Sequence, residues 1–266
     1  PARQVALGAG CPDTIPAFAV NKVCGSGLKS VMLAAQAIRA DDASVVLAGG
    51  MESMSRSPFL LRGHREGVKF GDQEMTDALI YDGLRCAFEQ WHMGCAADYI
   101  AQEHDISRQQ QDEFSLQSHQ RAAAATEAGR FKDEILPIEV KSRKGSVTVE
   151  ADESIRGDTS VESLGKLRPV FGNGGTVTAG NASGLSDGAA SVVVTSSDAA
   201  DKLGAKPIAR IVAYATSGVA PKDIFIAPVP AVRMVCEKAG LGLDQIDLFE
   251  LNEAFAAQMV YVRKRC

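Results

Sequence analysis

No stretch of this chain approaches the ~20 consecutive apolar residues of a membrane-spanning helix. No Cys-x-x-Cys pair occurs, and none of the six cysteines stands at a zinc-type spacing to a histidine, so no metal site is expected. Positive charge is scarce as well: 28 Lys and Arg against 33 Asp and Glu leave a net charge of -5. That balance provides no basic field for nucleic acid. The glycine-rich run from Gly172 to Gly184 contains neither GxGxxG nor a closing Lys-Ser/Thr, so it fails both nucleotide-loop tests. No secretory signal follows Pro1-Ala2-Arg3-Gln4. Six cysteines in 266 residues are also too sparse for a disulfide-stapled secreted domain. The thiols are expected to be reduced, in the cytoplasm, with mitochondrial and peroxisomal locations left open.

What is present is ordinary for a globular chain, with 45% apolar and 23% charged residues. The length allows one large domain or two smaller ones. The pattern is organised around Asn21-Lys22-Val23-Cys24-Gly25-Ser26-Gly27. Ala17 to Val20 reads as a buried strand. Leu28, Val31, Met32, Ala35 and Ile38 recur at helical spacing, which predicts a helix over Gly27 to Ala40. Ser44 to Ala48 reads as the next strand, ended by Gly49-Gly50. The three elements together predict a βαβ unit with Cys24 at the strand-to-helix corner.

That corner suits a thiolate, because unpaired N–H groups and the positive end of the helix dipole favour negative charge. Gly25 and Gly27 leave room for a carbonyl to approach the backbone. The competing reading is a small buried core cysteine.

Further along, Arg56 to Gln73 reads as irregular, carrying Arg62, His64, Arg65 and Lys69. Helices are predicted over Gly94 to His104 and Ser107 to Ala128. Ser107 and Gln110 form a capping box for the second, and Gly129 stops it. Lys141 to Leu167 is polar, and Gly172-Asn173-Gly174-Gly175 reads as a tight turn. Ala189 to Thr195 reads as a buried valine-rich strand, Asp198 to Leu203 as a helix and Ile208 to Ala215 as another strand. Pro228 and Pro230 are expected to bracket a turn before a helix over Ala231 to Ala239. Ile246 to Leu251 is expected to be the last strand, delivering Asn252 to the ligand-binding edge of an α/β sheet. Asn252 reads equally as a helix N-cap.

The cysteine motif Val23-Cys24-Gly25-Ser26-Gly27 resembles the nucleophile motif of the thiolase family. Four further motifs, Gly49-Gly50-Met51-Glu52-Ser53-Met54-Ser55, Trp91-His92-Met93-Gly94, Ala179-Gly180-Asn181-Ala182-Ser183-Gly184 and Asn252-Glu253-Ala254-Phe255, follow in family order. Each is weak alone; together they span nearly the whole chain and are specific. The resemblance implies an α/β thiolase fold, layered αβαβα with mixed sheets and an inserted loop domain, its C-terminal half largely absent. The implied divisions are 1–55 and 186–206 for the N-terminal half, 56–185 for the insertion, and 207–266 for the start of the C-terminal half. The insertion would bind coenzyme A and make oligomer contacts.

The same resemblance implies roles for particular residues. Cys24 takes the acyl group, and Asn252 holds a water against the oxyanion. His92 and Met93 line the acyl pocket. Arg156 and Ser163 meet the adenine end of coenzyme A, and Ala182, Ser183 and Phe255 lie along its pantetheine arm. A solvated surface charge is the competing reading for Arg156, and a structural histidine for His92. The implied reaction is a reversible Claisen condensation of two acetyl-CoA, or thiolysis of a 3-ketoacyl-CoA. No cofactor is expected beyond coenzyme A as substrate and product. The implied partners are acyl-CoA and coenzyme A, with a homodimer or homotetramer in the full-length form; neither nucleic acid nor a membrane is expected.

The family's Gly-His-Pro and Cys-x-Gly-Gly-Gly motifs, which carry its bases, do not occur in these 266 residues. The chain is therefore expected to be an incomplete thiolase, lacking both ends and inactive in condensation by itself. Two readings compete: a non-catalytic thiolase-like protein that binds coenzyme A or transfers lipid, and a ketoacyl-ACP synthase. Cys24 argues against the first, and Asn252-Glu253-Ala254-Phe255 against the second.

Overall fold

The structure, a computed structural model, describes residues 1–266 apart from Lys69, Lys144 and Asn173. In chain order its elements are α1 (Ala2–Gly8), α2 (Ser26–Arg39), β1 (Val45–Ser53), β2 (Phe59–Leu61), β3 (Met75–Asp77), α3 (Met93–Glu103) and α4 (Arg108–Glu127). They continue with β4 (Ile138–Ser142), β5 (Gly145–Val149), α5 (Val161–Gly165), β6 (Asp187–Thr195), α6 (Ser197–Lys202), α7 (Pro228–Ala239) and α8 (Ala256–Arg263). They fall into two compact units, Pro1–Gly83 with Leu185–Tyr214, and Leu84–Gly184 with Ala215–Cys266.

In the first unit α2 packs on a two-stranded antiparallel sheet. β1 and β6 pair in register from Val45 opposite Thr195 to Ser53 opposite Asp187. Small residues set the distance between helix and sheet. A Cβ on Gly50 would stand 3.1 Å from the Gly27 Cα, and one on Gly49 would overlap the Ala190 carbonyl. The Ser30 hydroxyl fastens the contact, accepting the Gly49 N–H at 3.0 Å. Gly49-Gly50 therefore does not end the strand, which runs on to Ser53. The glycines are there for close packing.

The second unit is built on α3. Ala96, Ala97, Ile100 and Ala101 form one buried stripe, and Ala96, Ala97 and Ile100 meet Val177, Phe225 and Phe255 in the core. Full burial of Ile100 is worth about 1.5–3 kcal/mol. α4 opens with the expected Ser107–Gln110 capping box, and Gly129 follows it with φ +68°.

Several expected strands are absent. Residues 17–20, 208–215 and 246–251 enter no ladder among the described residues, so the βαβ unit is not closed at its first strand. Apolar composition gives strand propensity, but a strand exists only where another backbone accepts its N–H and C=O groups. Phe18 is 74% exposed and Leu248 81% exposed, which also corrects the expectation that the first of these segments is buried. Strand β6 is present, yet most of it is exposed: with one partner strand and one helix it is covered on only one side. The irregular 56–73 stretch contains β2, which pairs with β3. The polar 141–167 stretch contains most of the β4–β5 hairpin and all of α5. Pro228 and Pro230 lie inside the first turn of α7, where a missing N–H costs nothing. The turn expected at 172–175 includes Asn173, outside the described residues; of the rest, Gly174 has φ +82°.

Candidate active site

Cys24 stands in a tight turn two residues ahead of α2, and its thiol is exposed. The buried-core reading is thereby excluded. Val23 before it sits at φ +48°, a left-handed conformation that costs a β-branched residue on the order of 1–3 kcal/mol. The turn is heavily tied. Asn21 Oδ1 accepts the Val23 N–H at 2.9 Å, and the Gly25 and Ser26 amides donate to the Lys22 and Val23 carbonyls at 3.0 and 3.1 Å. Beyond it, the Ser53–Ser55 end of the second motif is held by Asp187. That carboxylate accepts the Ser55 hydroxyl, the Ser55 N–H at 3.0 Å and the Ser53 hydroxyl at 3.3 Å.

His92 is the N-cap of α3. Its Nδ1 accepts the Gly94 N–H at 3.0 Å, leaving Nε2 to carry the proton of the neutral ring. Phe171 stacks on the imidazole with centroids 4.5 Å apart. Burial lowers the His92 pKa below the ordinary imidazole value. Glycine is required at position 94, where a Cβ would run into the Phe171 ring. Met93, Phe171 and Ala182 all pack on the same core cluster, which contains Phe255. Phe171 also lines a cleft of about 520 Å³ with Trp91, Cys95, Asp98, Tyr99 and Thr176.

The small-residue motif lies beside the last one. Ala182 and Phe255 form a β-bridge. The Ser183 N–H donates to the Ala254 carbonyl at 3.2 Å, and the Ala256 N–H to the Asn181 carbonyl at 2.9 Å. Ser183 is exposed. Beneath this pair Asn181 is buried: its amide donates to Asp112 Oδ1 at 3.0 Å and to the Thr176 carbonyl at 3.1 Å, while its oxygen accepts the Thr178 N–H at 2.8 Å. Asp112 is in turn paired with Arg108 at 2.8 Å. Asp98 accepts the Thr176 and Val177 amides at 2.6 and 2.9 Å.

The remaining expected residues are on the surface. Arg156 is exposed, and its backbone N–H donates to His119 Nδ1 at 3.2 Å. Ser163 closes a capping box with Ser160 at the start of α5. The next residue, Leu164, is buried and packs where Gly180 lacks a Cβ. Asn252 is exposed. It does not follow a strand, and it is not the N-cap of α8, a position held by Phe255. Within the second unit the structure thus gathers Met93, Ala182 and Phe255 in one cluster, with His92 joined through Phe171, and leaves Arg156, Ser163 and Asn252 at the surface. Cys24 belongs to the other unit.

Sequence reasoning passed over Phe171, Asp98, Asp112, Asn181 as a side chain, and the Ser26 hydroxyl. Asn181 and Ser26 were visible inside motifs; nothing local marks the other three. Among the described residues, no three His, Cys, Asp or Glu side chains gather as a metal site would require. No helix among them is long and apolar enough to cross a membrane.

An exposed cysteine at a strained turn before a helix has the placement that covalent acyl transfer asks of a nucleophile. The family models described as the N-terminal and C-terminal domains of thiolase match residues 1–198 and 205–266. The acetyl-CoA acetyltransferase of Chromobacterium violaceum is 52% identical over 265 residues, covering 99% of this chain and 68% of the relative. That of Allochromatium vinosum is 53% identical over 265 residues, covering 99% and 67%. Human mitochondrial 3-ketoacyl-CoA thiolase superposes with a TM-score of 0.95 at 46% identity, covering 99% of this chain and 67% of that one. Bacillus anthracis acetyl-CoA acetyltransferase does so with a TM-score of 0.95 at 42% identity, covering 99% and 66%. The chain belongs to the thiolase family and has its fold, and it spans about two thirds of the length of these relatives.

Proposed function

We propose that Cys24 is the acyl acceptor of this thiolase-type acyltransferase, in the reversible condensation of two acetyl-CoA or the thiolysis of a 3-ketoacyl-CoA. The observation that carries this is the exposed Cys24 thiol ahead of the α2 N-terminus. In the first half-reaction the Cys24 sulfur attacks a thioester carbonyl carbon. A carbon–sulfur bond forms to Cys24, the bond to coenzyme A breaks, and coenzyme A leaves as the thiol with the proton that Cys24 gave up. In the second half-reaction the α-proton of acetyl-CoA goes to a base. The carbanion bonds to the acyl carbon, and the Cys24–acyl bond breaks. Splitting the transfer at sulfur replaces one hard step with two easier ones.

The other assignments follow the family motifs. His92 and Met93 face the acyl group, and Asn252 holds an oxyanion water. Ala182, Ser183 and Phe255 border the pantetheine arm, and Arg156 and Ser163 the adenine end. The packing of Ala182 on Phe255, and of α5 on Gly180 through Leu164, supports placing the last five along one ligand. We assign 56–185 as the coenzyme A-binding insertion, no cofactor beyond coenzyme A, a homodimer or homotetramer for the full-length protein, and a cytoplasmic location.

With neither Gly-His-Pro nor Cys-x-Gly-Gly-Gly among these 266 residues, the chain alone captures an acyl group but does not turn over acetoacetyl-CoA. Intact-mass and peptide mapping after incubation with acetyl-CoA test this. One acetyl group on the Cys24 peptide, lost in Cys24→Ser, is the expected result. Binding of acetyl-CoA without an adduct would favour a non-catalytic coenzyme A binder.

A further inference from the structure

We infer that the Ser26 hydroxyl is a positioning residue for the Cys24 thiol, a role that rests on Cys24 being the acyl acceptor. Ser26 Oγ accepts the Lys22 N–H at 2.7 Å and donates to the Val23 carbonyl at 2.7 Å. One hydroxyl thus spans the turn on both sides of the residue that precedes the cysteine. A serine hydroxyl has a single proton, and here it is committed to the Val23 carbonyl. It therefore acts on the backbone that carries Cys24, and the sulfur receives no hydrogen bond from it.

The hydroxyl is not spent on the helix. Ser26 is the first residue of α2, and the N-cap is Gly25, which has no side chain to offer. A serine at the start of a helix ordinarily serves from the N-cap position and bonds forward to helical amides. This one bonds backward, across the turn. What it holds is the Val23 peptide at φ +48°, a conformation that persists only where its surroundings over-determine it. Asn21 Oδ1 holds the Val23 N–H from the other side at 2.9 Å. Without Ser26 Oγ the Lys22 N–H loses its partner, and the Val23 carbonyl keeps only the Ser26 N–H at 3.1 Å. Val23 can then relax toward negative φ, and the direction of the Cys24 side chain turns with it. A small reagent that approaches from any side tolerates that rotation. An acyl group delivered by a bound thioester does not, since a misplacement of ~1 Å can cost about a hundredfold in rate.

The test compares the 266-residue chain with Ser26→Ala, Ser26→Thr and Cys24→Ser. Transfer of the acetyl group from acetyl-CoA to Cys24 is followed by mass spectrometry, alongside alkylation by iodoacetamide. Ser26→Ala is expected to slow acetyl transfer about 10- to 100-fold and to change alkylation less than about threefold. Ser26→Thr, which restores a hydroxyl, is expected to recover most of the transfer rate. Wild-type transfer in Ser26→Ala overturns the inference. So does an equal fall in both rates that Ser26→Thr does not rescue. If the wild type takes up no acetyl group, or Cys24→Ser still does, the reading of Cys24 as acyl acceptor is what fails. Ser26 is then judged by hydrogen exchange of the Lys22 amide: faster exchange in Ser26→Ala supports the hold on the turn, and unchanged exchange overturns it.

Discussion

The rings of His92 and Phe171 lie nearly parallel, with centroids 4.5 Å apart and planes inclined by 17°. The stack covers the imidazole on one side, while the Gly94 N–H occupies its Nδ1. Protonation at Nδ1 would replace that hydrogen bond with two opposed N–H groups. The ring is therefore held neutral by two independent contacts, and the remaining N–H is fixed at Nε2.

Stability depends on pH through His92. Its folded pKa is lowered by burial from the ordinary 6.5, so below that value the unfolded chain takes up the proton first. The contribution is complete above 6.5, falls as pH drops toward the folded pKa, and then levels. Urea midpoints measured from pH 8 to 5 should show this decline (on the order of 1.4 kcal/mol per unit of pKa difference). His92→Asn keeps an N-cap acceptor for Gly94 but has no proton to gain, so its profile should lack the His92 component.

Gly94→Ala should loosen the same stack. The new methyl group would meet the Phe171 ring, and overpacking of this kind costs about 1–3 kcal/mol. As Phe171 moves off, the imidazole regains solvent and its pKa should rise. An NMR titration of His92 reads the shift directly, and an unchanged titration would show that Phe171 does not control the ring.

Asn181→Ala should destabilise the second unit. It strips a donor from Asp112 Oδ1 and an acceptor from the Thr178 N–H, at about 1–3 kcal/mol for each buried group left unpaired. Asn181→Asp should be worse near neutral pH and improve on acidification, because it sets a second carboxylate against Asp112. Chemical denaturation at two pH values distinguishes the variants.

The Asp187 contact should fade in acid. The hydroxyl and amide of Ser55 hold its carboxyl below the ordinary carboxylate value. The unfolded chain therefore protonates first as pH falls, and the contribution, present above the unfolded pKa, is lost as pH passes down through the folded one. Protection of the Ser55 amide, taken against the intrinsic exchange rate at each pH, should fall over that range in the wild type and be low throughout in Asp187→Ala.

The helices were largely legible because their signals are local. Ser107 and Gln110 announce α4 from three residues apart, and both hydrogen bonds of the box are present. The apolar spacing from Leu28 to Ile38 placed α2 within a residue at each end. The strands at 17–20, 208–215 and 246–251 were misread because apolar composition reports propensity, whereas a ladder requires a second backbone. The site divided in the same way. Cys24, His92 and Asn252 could be named from their motifs, but the exposure of Asn252 and its separation from α8 could not, since both depend on where Phe255 is anchored.

The amino-acid order alone determined the helices α2, α3 and α4, the family motifs, and the cysteine proposed as the acyl acceptor. These depend on residues within a few positions of one another, where chain connectivity brings the partners together without help. Folding decided why Gly49 and Gly50 are glycines, why His92 stays neutral, and what Asp187 does for Ser55, 132 positions away. Each depends on a neighbour that is distant in the chain, and no local pattern records which distant residue arrives.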